Sequence, residues 1–209
     1  METPIRFFSG KEFPDPAALI PRALPWILAA GQPYYDWLCG GHEATERAVA
    51  MWLRQASSEI FIERIQFLQC GAKIAGGIIG LPGAELKRAR TADISSYWET
   101  LEPPARKILI DKLSRIQGTF APVADDEYYA SKMGLAPSFF GKGLSRVLLE
   151  RCLEQGSALG FTKFRADVQI ENQPSLRCFL SRSFEVFYTG RSADGALRYH
   201  ALRLERKLK

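Results

Sequence analysis

Metal-type ligands are scarce in this 209-residue chain. Two histidines, His42 and His200, and four cysteines with no CxxC spacing (Cys39, Cys70, Cys152, Cys178) leave a zinc site almost without ligands, so no metal is expected. The same scatter reads as four reduced thiols rather than a disulfide framework. No apolar run approaches the ~20 residues that a membrane helix needs. Residues 1–6 carry neither a basic head nor a long apolar stretch, so no signal peptide is expected and the location is read as cytoplasmic, away from membranes. Internal repeats, low-complexity tracts and linkers are missing too. Residues 1–209 are therefore read as a single domain.

What is present belongs to an ordinary folded chain: 46% hydrophobic, 11% aromatic and 24% charged residues. The net charge of +5 slightly favours anionic partners, whether nucleic acid, acidic lipid or a phosphate-rich cofactor. Part of the excess is a terminal cluster, Arg203, Arg206, Lys207 and Lys209, which reads as a solvated strand end. The densest internal basic run, Lys87-Arg88-Ala89-Arg90, reads as a solvated helix face, with a phosphate site as the alternative.

Patterning divides the chain. A short strand at residues 5–8 precedes a helical first third, where Ala44, Ala48, Met51 and Trp52 recur at helical spacing over residues 42–56. Before them stands an aromatic cluster, Tyr34, Tyr35 and Trp37. From about residue 64 the period becomes that of strands, and Gly71-Ala72 turns residues 65–70 back onto 74–79 as a hairpin closed by Pro82-Gly83. Residues 84–120 return to helix, broken at Pro103-Pro104, with Ile108, Leu109, Leu113 and Ile116 as an apolar stripe. A strand over 128–135, a helix over 141–159 and a clean alternation (Phe164, Ala166, Val168, Ile170 against Lys163, Arg165, Asp167, Gln169) follow. Asn172 and Pro174 open another helix. The chain finishes with two strands about an Asp194-Gly195 turn. This is an α/β or α+β layout around a central sheet, and the strands joined through the 141–159 helix should be parallel neighbours.

One segment asks for a chemical explanation. Pro137-Ser138-Phe139-Phe140-Gly141-Lys142-Gly143-Leu144-Ser145 is glycine-rich, follows a strand and leads into a long helix. Glycines let backbone N–H groups surround an anion, and a helix N-terminus adds unpaired donors and the positive end of its dipole. The pattern is neither GxxxxGK[ST] nor GxGxxG, which disfavours a nucleoside triphosphatase or a dinucleotide dehydrogenase. A tight strand-to-helix turn is the structural alternative.

Residues 133–145 resemble the acetyl-CoA-binding motif of the GNAT N-acetyltransferase superfamily: an aliphatic strand end, a proline two positions later, then Gly-x-Gly. About thirty residues on, Asn172-Gln173-Pro174-Ser175-Leu176-Arg177-Cys178-Phe179 and the Phe184 beyond it resemble that family's second motif. The resemblance implies a central mixed, mostly antiparallel sheet with a splayed parallel pair and helices on both faces. To this the chain adds a helical insertion at about 84–120, within a longer intervening segment, 84–125. It implies an acetyl-CoA-dependent N-acetyltransferase passing an acetyl group to a primary amine by direct attack in a ternary complex. The acceptor would be a small molecule or a peptide. Members of the family often pair through the sheet or its last strands, which implies a homodimer.

Placed residue by residue, the resemblance gives the CoA pyrophosphate to the amides of Gly141, Lys142, Gly143, Leu144 and Ser145. The pantetheine arm and the thioester carbonyl fall to main-chain groups of Met133, Gly134 and Leu135, with Asn172 across the splay or simply capping its helix. The sequence also departs from the family. Phe140 stands where an Arg or Gln is usual, Ser145 replaces a Gly or Ala, and Ser183 replaces the Gly before Phe184. Phe179 occupies the position of a tyrosine thought to protonate the departing thiolate, and a phenyl ring cannot donate that proton. For the general base the choice is Glu127, then Asp126, with Tyr129 as a proton carrier; an exposed acidic turn at 125–127 is the alternative. The insertion and the Tyr34 to Trp37 region are expected to shape the acceptor pocket. The rival function is an acyl-CoA-binding or regulatory module that kept the fold and lost the chemistry. A nucleic-acid-binding protein rests on net charge alone.

Overall fold

The computed structural model describes residues 4–206; Met1, Glu2 and Thr3, and Lys207 and Lys209 of the terminal basic cluster, lie outside the described residues. Seven strands form one sheet in the order β1-β2-β3-β4-β5-β7-β6. They are β1 (Ile5–Ser9), β2 (Gln66–Cys70), β3 (Lys73–Pro82), β4 (Glu127–Leu135), β5 (Lys163–Gln169), β6 (Glu185–Arg191) and β7 (Arg198–Glu205). Every pairing is antiparallel except β4 with β5, which are parallel, as a helix crossover requires.

That parallel pair is short. Register runs only from Glu127 opposite Lys163 to Tyr129 opposite Arg165, after which β4 stays paired with β3 and β5 stays paired with β7. The two central strands therefore splay from Ala130 onward, and the sheet opens a gap in its middle.

Helices cover both faces. One face carries α1 (Ile20–Gly31), α2 (Tyr34–Cys39), α3 (His42–Trp52), α4 (Gly83–Glu99) and α5 (Pro103–Arg115), packed through Trp26, Ile27, Val49, Trp52 and Leu86 onto Phe67, Ile79 and Tyr129. The opposite face carries α6 (Leu144–Ala158) and α7 (Gln173–Leu180), packed through Leu148, Leu149, Cys152 and Phe179 onto Ile78, Tyr128, Phe164 and Leu202. The alternation of β4 sends Tyr128 to one face and Tyr129 to the other. The insertion between β3 and β4 is α4 and α5; the first glutamate and proline after Leu101 supply the break, and Pro103 opens α5 where its missing N–H costs nothing.

Three expectations need correction. Helix α6 begins at Leu144 rather than residue 141, because Gly141 and Gly143 take positive φ (75° and 74°), which a helix does not allow. Its stripe ends early: Leu159 is 64% exposed in the closing turn, where Phe161 N–H reaches the Gly156 carbonyl and Gly160 is left-handed. In α5 only Leu109 is buried, while Ile108 is exposed; the helix meets its neighbours along a narrow edge, with Leu113 completing the contact.

Candidate functional site

Only the start of the polar side of β5, at Lys163, faces water. Arg165 is buried and Asp167 half-buried, both pointing to the α1–α5 face, where the splay, α2, α4 and α5 enclose a cavity of about 450 Å³. Its walls are aromatic: Tyr34 and Tyr35 of α2, Trp52 of α3, Phe120, Tyr129 of β4 and Tyr199 of β7. Phe120 ties them together, meeting Tyr34 edge-on at 5.6 Å and Tyr199 at 4.9 Å between ring centroids.

A connected set of charges crosses its floor. Glu59, buried in the loop after α3, accepts from Arg90 Nε at 3.0 Å, from the Ser131 hydroxyl, and from Lys132 Nζ at 3.5 Å. Burial alone would raise its carboxyl, but the attraction of Arg90 and Lys132 and the Ser131 hydrogen bond outweigh that and hold it at about 2. The Arg90 guanidinium lies 4.8 Å above the Tyr129 ring, and the Tyr129 hydroxyl donates to Asp167 Oδ2 at 2.8 Å. Asp93 accepts from the Glu59 N–H at 3.1 Å through Oδ2. Burial and the neighbouring Glu59 charge push Asp93 up to about 7, against the hydrogen bonds it receives. Burial also raises Asp167, opposed by Arg90 and by the Tyr129 hydroxyl. Asp93 Oδ1 and Asp167 Oδ1 are both buried without a hydrogen-bond partner among the described residues. The same cavity thus holds two carboxyls with free oxygens and raised proton affinity.

On the other face the chain leaves β4 through a short turn and enters α6. Phe140 N–H is used by the Pro137 carbonyl, but the N–H groups of Gly141, Lys142, Gly143, Leu144 and Ser145 meet no acceptor among the described residues. No side chain caps this helix. At Gly141 and Gly143 the left-handed backbone favours glycine, and the space beside each is open to 4 Å. Five consecutive unpaired donors at a helix N-terminus are chemically suited to an anion.

The residues singled out from the sequence fall into three groups. Met133, Gly134 and Leu135 lie on the splayed half of β4, paired on one edge with Ile78, Gly77 and Gly76 and unpaired with β5 on the other. Gly134 lets the strand pass Trp26, which a Cβ would approach to 2.9 Å. Asn172 caps α7, its side chain accepting from Ser175 N–H at 3.1 Å. Phe179 is buried edge-on against Phe184, while Phe140 is 63% exposed and Lys142 reaches over Phe139. Tyr129 lines the cavity. Glu127 does not: it stands at the opposite end of β4, both its oxygens taken by Arg165 and one also by Ala124 N–H. Asp126 is exposed and paired with Lys163 at 2.7 Å.

Sequence reasoning missed Glu59, Asp93, Ser131, Lys132 and Asp167, and took Arg90 for part of a solvated face. Only two signals existed. Asp167 sat on the polar side of an otherwise buried strand, and Arg90 ended a basic run one helical turn from Leu86, which is buried.

The sheet is split at its centre, with unpaired amides on one face and an aromatic-walled cavity holding charged groups on the other. The family model for the acetyltransferase (GNAT) family matches residues 32–184, and the chain belongs to that family. Solved structures agree on the fold. An N-acetyltransferase from Staphylococcus aureus Mu50 is 22% identical, with 77% of this chain and 80% of that one covered and a TM-score of 0.57. A GCN5-related N-acetyltransferase from Kribbella flavida is 16% identical over 97% and 98%, TM-score 0.56. An acetyltransferase from Bacillus subtilis, solved in complex with CoA, is 12% identical over 98% and 100%, TM-score 0.55. No curated protein matches the chain significantly. Among the described residues no helix is long and apolar enough to cross a membrane.

Proposed function

We propose that the protein transfers the acetyl group of acetyl-CoA to a primary amine, the amine attacking directly while both substrates are bound. One observation carries the reading: the unpaired amides of residues 141–145 and the acid-bearing cavity lie on opposite faces of a sheet that is open between them. The cradle fits a pyrophosphate. Gly141, Lys142, Gly143, Leu144 and Ser145 would hold it, with Met133, Gly134, Leu135 and Asn172 along the pantetheine arm. Acetyl-CoA supplies the activated acetyl group.

The remaining chemistry falls to side chains. An ammonium must lose a proton before it can attack, and Asp167 is the group we assign as base. Its Oδ1 is free, its proton affinity is raised by burial, and Tyr129 fixes the other oxygen, which makes Tyr129 a positioning residue. Glu127, with its oxygens committed to Arg165, braces the start of β4 in this reading. Phe179 offers no proton to the departing thiolate, so water takes that role. The same residue favours the second reading, a module that binds acyl-CoA without turning it over.

Calorimetry with acetyl-CoA followed by thiol release against a panel of amines tests the two. Binding with turnover of at least one amine supports the transferase. Binding without turnover supports the module, and no binding contradicts both.

A further inference from the structure

The geometry points to a particular acceptor: a compact amino acid, whose carboxylate is held by Arg90, whose ammonium faces Asp167, and whose apolar side chain rests on the aromatic wall. This rests on reading the cavity as the acceptor side.

The Arg90 side chain keeps 38% of its surface open, and the residue borders the cavity. Only its Nε meets a hydrogen-bond acceptor among the described residues, which leaves the two terminal nitrogens without one. Glu59 is shared, one carboxylate answering both Arg90 and Lys132, and the cavity's Asp167 is hydrogen-bonded to Tyr129 rather than to either cation. Arg90 stacked on Tyr129 is fixed in orientation, and a planar fork of free N–H groups matches a carboxylate better than any neutral group.

The negative counterpart lies one tyrosine ring away. Tyr129 carries Arg90 over its ring face and bonds Asp167 through its hydroxyl. A ligand with a carboxylate and an ammonium on adjacent groups would turn the first toward the guanidinium over the ring and the second toward the carboxyl beyond the hydroxyl. A simple amine leaves the Arg90 fork unanswered, and a simple carboxylic acid leaves Asp167 Oδ1 without a donor. Size agrees: about 450 Å³ with Tyr34, Phe120 and Tyr199 on its wall suits a small molecule with an apolar body.

The test uses the full chain with phenylalanine, phenylalaninamide and phenethylamine as acceptors. Phenylalanine is expected to show kcat/KM roughly tenfold or more above the other two, because the site's charged fork then has its partner. Arg90→Lys, which keeps the charge beside Glu59 but loses the fork, is expected to collapse that ratio toward one. Arg90→Gln should do the same, and circular dichroism of each variant reports whether it folds. A parallel thermal-shift series reads binding without turnover. A shift with phenylalanine and none with its amide supports the carboxylate site even if no amine is acetylated, in which case only the transferase reading fails. Equal or better turnover of the amide or amine overturns the inference and leaves the transferase standing. Neither turnover nor a shift with phenylalanine overturns the inference as well.

Discussion

The two faces of the sheet are built from different materials. On the α6 face the anion cradle is backbone, made by five consecutive residues, and any side chains suffice provided Gly141 and Gly143 keep their positive φ. On the α1–α5 face the cavity is side chain, assembled from the loop after α3, from α2, α4 and α5, and from three strands. Its carboxylates and cations depend on one another, so each loss strands a partner. The backbone site is local and robust; the side-chain site exists only once the fold has closed.

The largest break in that comparison is expected from Asp167→Asn. Loss of a general base lowers kcat on the order of 10²–10⁴-fold, measured by thiol release, with acetyl-CoA affinity retained because the cradle is on the other face. In the unmutated protein, kcat should fall as pH drops through the raised proton affinity of Asp167, which protonates the base.

Next comes Glu59→Gln, which leaves Arg90 and Lys132 without their carboxylate. Breaking a buried pair costs about 3–5 kcal/mol, and about 2–3 kcal/mol is expected here since Arg90 is part exposed. The sign follows from the lowered value of Glu59. Its contribution is complete above about 4.5 and is lost as pH falls through about 2, so urea unfolding should show the gap between the two proteins narrowing in acid.

Asp93 has the opposite sign. Its proton affinity is raised to about 7, so the folded protein holds a proton that the unfolded chain releases above the ordinary carboxyl value of 3.8. Stability from this group therefore declines as pH rises between the two values. Asp93→Asn is expected to stabilise the protein by about 1–2 kcal/mol at pH 8, with the gain vanishing toward pH 4. Denaturant titrations at both pH values check it.

The smallest effect belongs to the other face. Phe140 is exposed beside the cradle, and Phe140→Arg is expected to strengthen acetyl-CoA binding by about 0.3–1 kcal/mol, a few-fold in Kd, by adding a cation near the amides.

This contrast also governs what could be read in advance. The strands, the hairpin at Gly71, the caps at Asn172 and Gly160, and the parallel neighbours around α6 follow from local periodicity and turn chemistry, and so does the glycine turn that leads into α6. The cavity does not. Glu59 stands in a stretch with no motif, and its partner Arg90 is 31 positions away. Asp167 and Tyr129 meet only because β4 and β5 are parallel for three residues and then part. Glu127 reads as a base candidate at a strand start, and nothing in its neighbours announces that Arg165 folds against it from β5. Contacts across the sheet are not a property of any window of sequence.

The division of labour between the faces is tested most directly by titrating acetyl-CoA calorimetrically into three proteins: the native chain, Asp167→Asn, and the double variant Gly141→Val with Gly143→Val. Left-handed backbone costs a non-glycine residue about 1–2 kcal/mol, so the double variant is expected to weaken binding roughly 30- to 1,000-fold, while Asp167→Asn binds as the native chain does. Undiminished binding in the glycine variant, or loss of binding in Asp167→Asn, would contradict it.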